Sequence, residues 1–363
     1  MANNSTSSGN KYRYVILFSC SLMLAIVYMS LSSWGVAVPE LKKTFDLSST
    51  MIMAGAALLV AGYSIGNFFQ GRWLNALGWR KLFGVVMLCF VVASVLIPYV
   101  SNYWVVLLLR FIQGWGLVVV ITSSLVSGWF PAHERGMANG ILTGAIALGV
   151  AVGGWLTGIL LPLGWKTVFL ILAGIDVVGI IIFYLTVRDM PEEAAAENVA
   201  DTPAQDKASS FNIYTHPAMW LSGLAMFCTF FNAYGMYAFL GDYLYSIGLG
   251  PREVGSLVFF NGAIGIISTP AGGYFSDLMV VKTGDATKAR CLGMGLVGFL
   301  VGFIGCALVP NLAPSGLALA AVSVLIAGWG CPATNSPIIT LPADIFGAKA
   351  AGEAIGLVLL IAG

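Results

Sequence analysis

Long apolar stretches recur along the chain, and they limit its possible folds more than any other feature. Ten stretches bounded by charged residues, glycine and proline cover residues 14–39, 51–70, 82–101, 103–129, 138–161, 165–186, 217–240, 254–276, 290–310 and 315–341. Most of them reach the roughly 18 residues that an α-helix needs to cross a bilayer. An eleventh stretch begins near Ala351 and reaches Gly363, so we expect the sequence to stop inside a helix.

The composition supports a membrane protein. Hydrophobic residues make up 58% of the chain and charged residues only 9%, whereas a soluble domain has about 25% charged residues. No water satisfies backbone groups inside a bilayer, so spanning segments are helices or strands of closed barrels. The apolar stretches lack the alternation typical of barrel strands. The sequence therefore predicts an all-α integral membrane protein.

The residue types that carry enzyme chemistry do not form recognisable patterns. The six cysteines fall in or beside apolar stretches without metal-ligand spacing, so we expect them to be small packing residues. His133 and His216 lie in predicted loops without a second ligand nearby. No nucleophile–base set or cofactor loop is recognisable, and the formal net charge of +1 gives no sign of a nucleic-acid partner. We expect neither enzyme activity, nor a metal site, nor a cofactor.

One long polar stretch divides the chain. It contains PEEAAAENVADTPAQDKASS, which is too polar to bury a core of its own and is typical of a flexible linker. We therefore predict an N-terminal six-helix bundle at 1–187, a linker at 188–216 and an incomplete C-terminal bundle at 217–363, with about eleven helices in all.

Lysine and arginine predict the orientation of the chain. If the N-terminus is cytoplasmic, twelve of the 17 basic residues lie on the cytoplasmic side and four on the outer side, while Arg110 lies within the membrane. This bias satisfies the positive-inside rule. We expect the N-terminus and the central linker to be cytoplasmic.

The two halves repeat each other. Two motifs occur in both halves: Gly71-Arg-Trp-Leu-Asn75 with Gly273-Tyr-Phe-Ser-Asp277, and Gly136-xxx-Gly140 with Gly352-xxx-Gly356. Duplicated six-helix bundles are typical of secondary transporters, which hold their substrate between the halves near mid-membrane. The repeat therefore predicts two pseudo-symmetric bundles.

The loop after the second span resembles a motif of the major facilitator superfamily, G-x-x-x-D-R-x-G-R-R. In this chain Asn75 stands where the family has an acid, and Ala76 stands where it has the first arginine. The second copy keeps the acid as Asp277. The resemblance implies a cytoplasmic gate in which an acid caps the facing helix and glycines permit close packing. Its expected members are Gly71, Asn75, Arg80, Gly273 and Asp277, with the C-terminal half contributing more.

The fourth span carries a second resemblance to this family. Arg110-Phe-Ile-Gln113-Gly114-Trp-Gly116 is similar to R-x-x-x-G-x-G, whose arginine is associated with proton or substrate coupling. An arginine inside a membrane costs about 2.5–3.5 kcal/mol on insertion scales, which is tolerated when it faces a cavity or a counter-ion. Alternatively, Arg110 extends to the outer interface and only anchors the helix.

The fifth span resembles the family's antiporter-associated motif, G-x8-G-x3-G-P-x2-G-G. Gly154 stands in the usual proline position and Thr157 in a usual glycine position. The resemblance implies a helix hinge at Gly149, Gly153 and Gly154. Close packing of glycine-rich helices is the alternative interpretation.

The resemblance also implies that the first, fourth, seventh and tenth spans line a cavity. Their polar and aromatic side chains are the candidate substrate ligands: Tyr28, Trp34, Arg110, Gln113, Phe231, Asn232, Tyr234 and Asn335. A cavity with one fixed cation, aromatic walls and a few amide donors suits a small organic anion. Tryptophan and tyrosine also collect at bilayer interfaces, so an anchoring role is the alternative for the aromatic residues.

Asp176 lies near the middle of the sixth span. A carboxylate in lipid is paired, protonated or facing water, which makes it a functional candidate. We therefore expect Arg110 and Asp176 to act in coupling. The alternative for Asp176 is a neutral carboxyl group in helix packing.

Together, these features predict a secondary active transporter that moves a small organic anion or similar metabolite by alternating access, coupled to protons or to a counter-anion. The alternatives are a multidrug or metabolite proton antiporter and, from another class, a non-transporting membrane sensor. We expect a multi-pass monomer of the cell membrane. Its expected partners are the substrate, a coupling proton or counter-substrate, and the lipid bilayer, without nucleic acid.

Overall fold

The computed structural model describes residues 5–131, 133–189 and 212–363, and these residues are almost entirely helical, without a strand. The helices in chain order are α1 (Ser5–Phe45), α2 (Ser49–Leu96), α3 (Tyr103–Trp115), α4 (Val119–Trp129), α5 (Arg135–Leu160), α6 (Trp165–Thr186), α7 (Pro217–Ser246), α8 (Pro251–Ala263), α9 (Gly265–Thr283), α10 (Ala286–Leu292), α11 (Val301–Leu312), α12 (Leu317–Phe346) and α13 (Ala348–Ala362). A π-helical segment, Gly293–Leu300, joins α10 to α11. Most of the predicted linker, residues 190–211, lies outside the described residues.

The described helices are long and apolar enough for a multi-pass membrane protein. Eight helical segments in this part of the chain meet the length and hydropathy required to cross a bilayer. The prediction of an all-α integral membrane protein is confirmed.

The helix bounds differ from the predicted spans where the backbone bends within an apolar stretch. The second and third predicted spans form one element, α2, interrupted at Gly78, which has φ 72° and ψ 154°. Glycine adopts such a positive φ without the steric cost that a Cβ would add. The fourth predicted span is divided into α3 and α4, and the eighth into α8 and α9.

Two seams join the N-terminal and C-terminal helices. At the α5–α9 seam, a Cβ atom added to Gly273 would collide with the carbonyl oxygen of Gly136. At the α2–α13 seam, one added to Gly71 would collide with the carbonyl oxygen of Gly352. The absence of side chains lets the helix backbones approach closely. Both contacts lie on the side of the protein where Asp189 and Tyr214, next to the two ends of the linker, contact Arg80 and Glu353. We call this the linker side.

Candidate substrate and gating sites

The Arg110 guanidinium is buried among the N-terminal helices. The residue is 3% exposed. Its Nε donates a hydrogen bond to the Gly55 carbonyl at 3.3 Å, and its Nη1 donates to Gln113 Oε1 at 2.7 Å. The guanidinium carbon lies 4.4 Å from the centroid of the Trp34 ring, a cation–π distance. Among the described residues no carboxylate lies within ion-pair distance of Arg110.

The environment of Arg110 depends on a small residue in α2. The Trp34 indole donates to the Ile52 carbonyl at 3.2 Å, which places its ring beside Gly55. A Cβ atom at Gly55 would lie 2.6 Å from Trp34 Cζ2. The ring could not keep this position beside a larger residue, so Gly55 allows Trp34 to cover the guanidinium.

Gln113 connects Arg110 to the second half of α2. Its Nε2 donates to Ser94 Oγ at 2.7 Å, and Ser94 Oγ donates to the Phe90 carbonyl at 2.8 Å. Because the amide nitrogen is used by Ser94, the amide oxygen is oriented towards Arg110. Gln113 therefore positions the guanidinium.

A small cavity lies beside this group. Its volume is about 10 Å³, close to the smallest cavity that holds one water molecule. The lining residues come from α1, α2, α3 and α6: Ser30, Ser33, Ser94, Arg110, Gln113, Phe169, Leu172 and Ala173. The cavity is polar where it meets α1, α2 and α3 and apolar along α6.

Asp176 lies one turn of α6 beyond this cavity. The residue is 0% exposed. Ser30 Oγ donates to its Oδ2 at 2.8 Å, while its Oδ1 has no hydrogen-bond partner among the described residues. Ser30 also lines the cavity, so one hydroxyl group links the carboxyl group of Asp176 to the surroundings of Arg110.

The candidate ligands of the C-terminal half lie elsewhere. Phe231 is 74% exposed, and with Asn232 it lines a cavity of about 440 Å³ formed by α7, the π-helical segment, α11 and α12. Asn335 Oδ1 is buried without a described hydrogen-bond partner. The Tyr234 side chain lies outside the described residues, and Tyr28 packs against the core of the N-terminal half. Of the eight candidates, the structure brings together Trp34, Arg110 and Gln113.

Asp277 joins the two halves at the linker side. Its Oδ1 accepts a hydrogen bond from the Gly136 amide at 3.1 Å, and its Oδ2 accepts one from the Met137 amide at 2.6 Å. These amides belong to the first turn of α5, where unpaired N–H groups and the helix dipole favour a negative charge. The acid of α9 thus caps a helix of the opposite half, the geometry that the sequence motif implied.

Asp277 is part of a buried charge cluster, which we define as Arg135, Asp277, Arg290 and Asp344. Arg290 Nη1 lies 2.5 Å from Asp277 Oδ1, and Arg290 Nε lies 2.8 Å from Asp344 Oδ2. Arg135 Nη1 lies 3.5 Å from Asp344 Oδ1. Sequence reasoning did not name Arg135, Arg290 and Asp344 as partners in this contact between the two parts of the chain. The available signals were that Arg290 opens the ninth predicted span and that Arg135 and Asp344 are charged residues shortly before the two repeated motifs at Gly136 and Gly352.

The α2–α13 seam has a different polar contact. Asn75 is exposed, whereas the Tyr214 hydroxyl donates a hydrogen bond to Glu353 Oε1 of α13. The Arg72 guanidinium of α2 lies 5.7 Å from the centroid of the Tyr214 ring. Burial, and then the hydrogen bond to Glu353, raises the pKa of Tyr214 to about 12. Tyr214, just before α7, therefore contacts both α2 and α13.

The remaining expected gating and hinge residues have separate positions. Arg80 Nε lies 3.7 Å from Asp189 Oδ2 at the start of the linker. A Cβ atom added to Gly149 or Gly153 would collide with the α1 backbone, whereas one added to Gly154 would have only Val36 Cγ2 nearby, at 4.0 Å. Gly149 and Gly153 therefore pack α5 against α1, and Gly154 does not.

Comparisons with known proteins agree with this architecture. A family model described as the Major Facilitator Superfamily matches residues 20–363. A probable sulfoacetate transporter of Cupriavidus necator is 24% identical over 96% of this chain and 83% of its own length. The hexuronate transporter of Bacillus subtilis is 24% identical over 80% of this chain and 72% of its own length. The solved structure of the proton:xylose symporter XylE has a TM-score of 0.75 at 16% identity, covering 97% of this chain and 86% of that one, and shows the same fold.

Proposed function

The chain belongs to the major facilitator superfamily, and from this premise we propose that it is a secondary active transporter of a small organic anion. The observation that carries the proposal is the buried Arg110 guanidinium, which has neutral hydrogen-bond acceptors and a Trp34 ring around it. Its positive charge lacks a carboxylate partner among the described residues, so an anion that reaches it would supply the missing counter-charge.

The names of the relatives support an anionic substrate. Sulfoacetate and hexuronates, for which two of the similar proteins are named, are small organic anions. The two transporters are similar in sequence to this chain along most of its length. We therefore place the substrate among small carboxylates and sulfonates and expect a proton or a counter-anion to be coupled to its movement.

The transport cycle would alternate access between residues 1–187 and 217–363. In this proposal the linker side faces the cytoplasm of a multi-pass monomer in the cell membrane, because the basic residues are concentrated there. We propose that the α5–α9 and α2–α13 seams are the contacts that close that side. Opening of the linker side would require Asp277 to leave the N-terminus of α5.

Uptake into proteoliposomes tests the proposal. Purified protein would be assayed against a panel of small carboxylates and sulfonates that includes sulfoacetate, with Arg110→Gln as the main variant. We expect Arg110→Gln to lose at least ten-fold in uptake, because the amide keeps polarity but removes the charge. Lys288→Gln is the control, since the Lys288 side chain is 77% exposed and belongs to neither the proposed anion site nor the proposed gate. Undiminished uptake by Arg110→Gln would exclude Arg110 as the anion-binding group.

A second candidate function, a proton antiporter for drugs or metabolites, is supported by the glycine pattern of α5. Gly149 and Gly153, which stand at two glycine positions of the antiporter-associated motif, pack this helix directly on α1. Protection of a pump-deficient host against lipophilic cations would favour the antiporter. Protection combined with no anion uptake in proteoliposomes would replace the first proposal.

A further inference from the structure

Asp176 has an environment that favours a neutral carboxyl group. It lies in the middle of α6, is 0% exposed, and receives a single described side-chain hydrogen bond, from Ser30. Its Oδ1 atom is buried without a described partner. An ionised carboxylate with so few donors is costly to keep away from water. A proton on Oδ1 removes that charge and gives this atom a hydrogen to donate.

Arg110 of α3 is the one charged side chain among the residues that line the small cavity beside α6. It lines the small cavity together with Ser30, the partner of Asp176. The other titratable groups on α1, α2, α3, α6 and the turn at residues 97–99 do not line this cavity: Lys11, Tyr12, Arg13, Tyr14, Cys20, Tyr28, Glu40, Lys42, Lys43, Tyr63, Arg72, Arg80, Lys81, Cys89, Tyr99, Tyr103, Lys166 and Tyr184. The charged group that shares this cavity with Ser30, the hydrogen-bond partner of Asp176, is therefore Arg110.

We infer that Asp176 is the proton-binding residue of the carrier and that it is linked to the anion site at Arg110 through Ser30 and the water-sized cavity. This inference rests on the proposed function. When the anion site is empty, the positive charge of Arg110 favours the ionised form of Asp176. A bound anion neutralises Arg110 and favours the protonated form. Because such coupling is reciprocal, protonation of Asp176 also favours anion binding, which is the thermodynamic requirement for symport.

A metal cation fits this position less well than a proton. Hard cations take about six oxygen ligands. The described oxygen atoms bonded at Asp176 are its own carboxylate and Ser30 Oγ, and Ser33 Oγ already donates to the Ser30 carbonyl at 2.6 Å. A proton needs one oxygen atom and no coordination shell, and Asp176 Oδ1 provides it.

The experiment separates anion movement from proton movement, with sulfoacetate as the probe and a pH indicator inside the proteoliposomes. Sulfoacetate counterflow is measured without a pH gradient, and accumulation is measured with an inward proton gradient. Asp176→Asn imitates the protonated carboxyl group. We expect this variant to keep counterflow within about two-fold of the wild type and to lose proton influx and gradient-driven accumulation at least ten-fold. Asp46→Asn, at an exposed position outside the helices, is the matched control.

The results distinguish this inference from the proposed function. Sulfoacetate accumulation driven by a proton gradient in Asp176→Asn would overturn the inference. Sulfoacetate accumulation driven by a sodium gradient in the wild type would also overturn it. Loss of both activities by a folded Asp176→Asn protein would also overturn it, because Asp176 would then act in binding or structure. Ser30→Ala provides a second variant, for which we expect retained counterflow and a displaced pH profile of uptake; an unchanged profile would count against the link. Failure of the wild type in counterflow with every anion of the panel would refute the proposed function.

Discussion

Asp277 accepts a hydrogen bond from the backbone amide of Gly136, although 141 residues separate the two in the sequence. The contact joins α9 of one half to the first turn of α5 in the other. Because the carboxylate also forms an ion pair with Arg290, its position is fixed by charge and by backbone geometry. Asp277 is therefore expected to stabilise the state that is closed at the linker side more than any other state.

Asp277→Asn is expected to favour opening of the linker side. The amide can accept only with its single oxygen atom, and it loses the charge that interacts with the dipole of α5 and with Arg290. Spin labels at the exposed positions Ile141 of α5 and Val281 of α9, in a background without native cysteines, would report the distance between the two helices. We expect a larger population of long distances in Asp277→Asn than in the parent.

Asn75→Asp is the matched variant at the repeated position of α2. Asn75 is exposed, and an acid there would lie near the first turn of α13, where a negative charge contributes about 0.3–1 kcal/mol. We expect this variant to favour the closed state in the same measurement. Equal distance distributions for Asp277→Asn, Asn75→Asp and the parent would contradict the gating role of both positions.

Arg290→Met is expected to reduce stability strongly. Arg290 is 0% exposed and pairs with Asp277 and Asp344, so its removal leaves two buried carboxyl groups without their shared cation. Breaking a buried ion pair from one side costs about 3–5 kcal/mol. Thermal unfolding of the purified protein in detergent would measure the loss. Adding Asp344→Asn should recover part of it because the two changes are coupled, and a fully additive double variant would contradict the cluster.

The membrane fold could be predicted because the length and polarity of an apolar stretch are properties of one segment. The partners of Asp277 could not be predicted in the same way, since they depend on which distant helix ends meet. Phe231 illustrates a second difficulty. Apolar residues occur on every side of α7, so the sequence does not indicate which side of the helix faces the protein interior. In the structure 74% of Phe231 is exposed.

The surroundings of Arg110 could be predicted in part. The cost of a charge in the membrane predicted that Arg110 faces a cavity or a counter-ion, with the outer interface as the alternative. Gln113 follows three residues later on the same face of the helix. The contribution of Gly55 could not be predicted, because it depends on the position of the Trp34 ring in the neighbouring helix. Sequence spacing therefore predicts partners within one helix better than partners between helices.

Gly153→Ala and Gly154→Ala are expected to have opposite effects on stability. A Cβ atom at Gly153 would lie 2.6 Å from Met29 Cα in α1, and overpacking of this kind typically costs about 1–3 kcal/mol. At Gly154 the nearest atom would be 4.0 Å away, so alanine should add up to about 1 kcal/mol through its higher helix propensity. Thermal unfolding would show a lower Tm for the first variant and an equal or higher Tm for the second. Equal changes in Tm for the two variants would show that the close packing of α5 on α1 at Gly153 does not determine stability.

Tyr214→Phe is expected to loosen the α2–α13 seam in a manner that does not depend on pH near neutrality. Burial, and then the hydrogen bond to Glu353, raises the pKa of Tyr214 from 10.0 to about 12. The contribution of this raised pKa to stability is fully present below pH 10 and is lost as the pH rises through 12. The hydroxyl therefore stays protonated at pH 7 and pH 9, and the variant should lose the same hydrogen bond at both values.

Hydrogen–deuterium exchange in α13 from Glu353 onward would measure this loss. A hydrogen bond to a charged group contributes about 1.5–3 kcal/mol, and the lower end applies to a partly exposed pair such as this one. Exchange in Tyr214→Phe should be about ten-fold faster than in the parent, after correction for intrinsic rates, with the same ratio at pH 7 and pH 9. Tyr243→Phe is the matched control, because its hydroxyl donates to the Pro310 carbonyl near the opposite side. A ratio that changed ten-fold between the two pH values would show that another titrating group controls the seam.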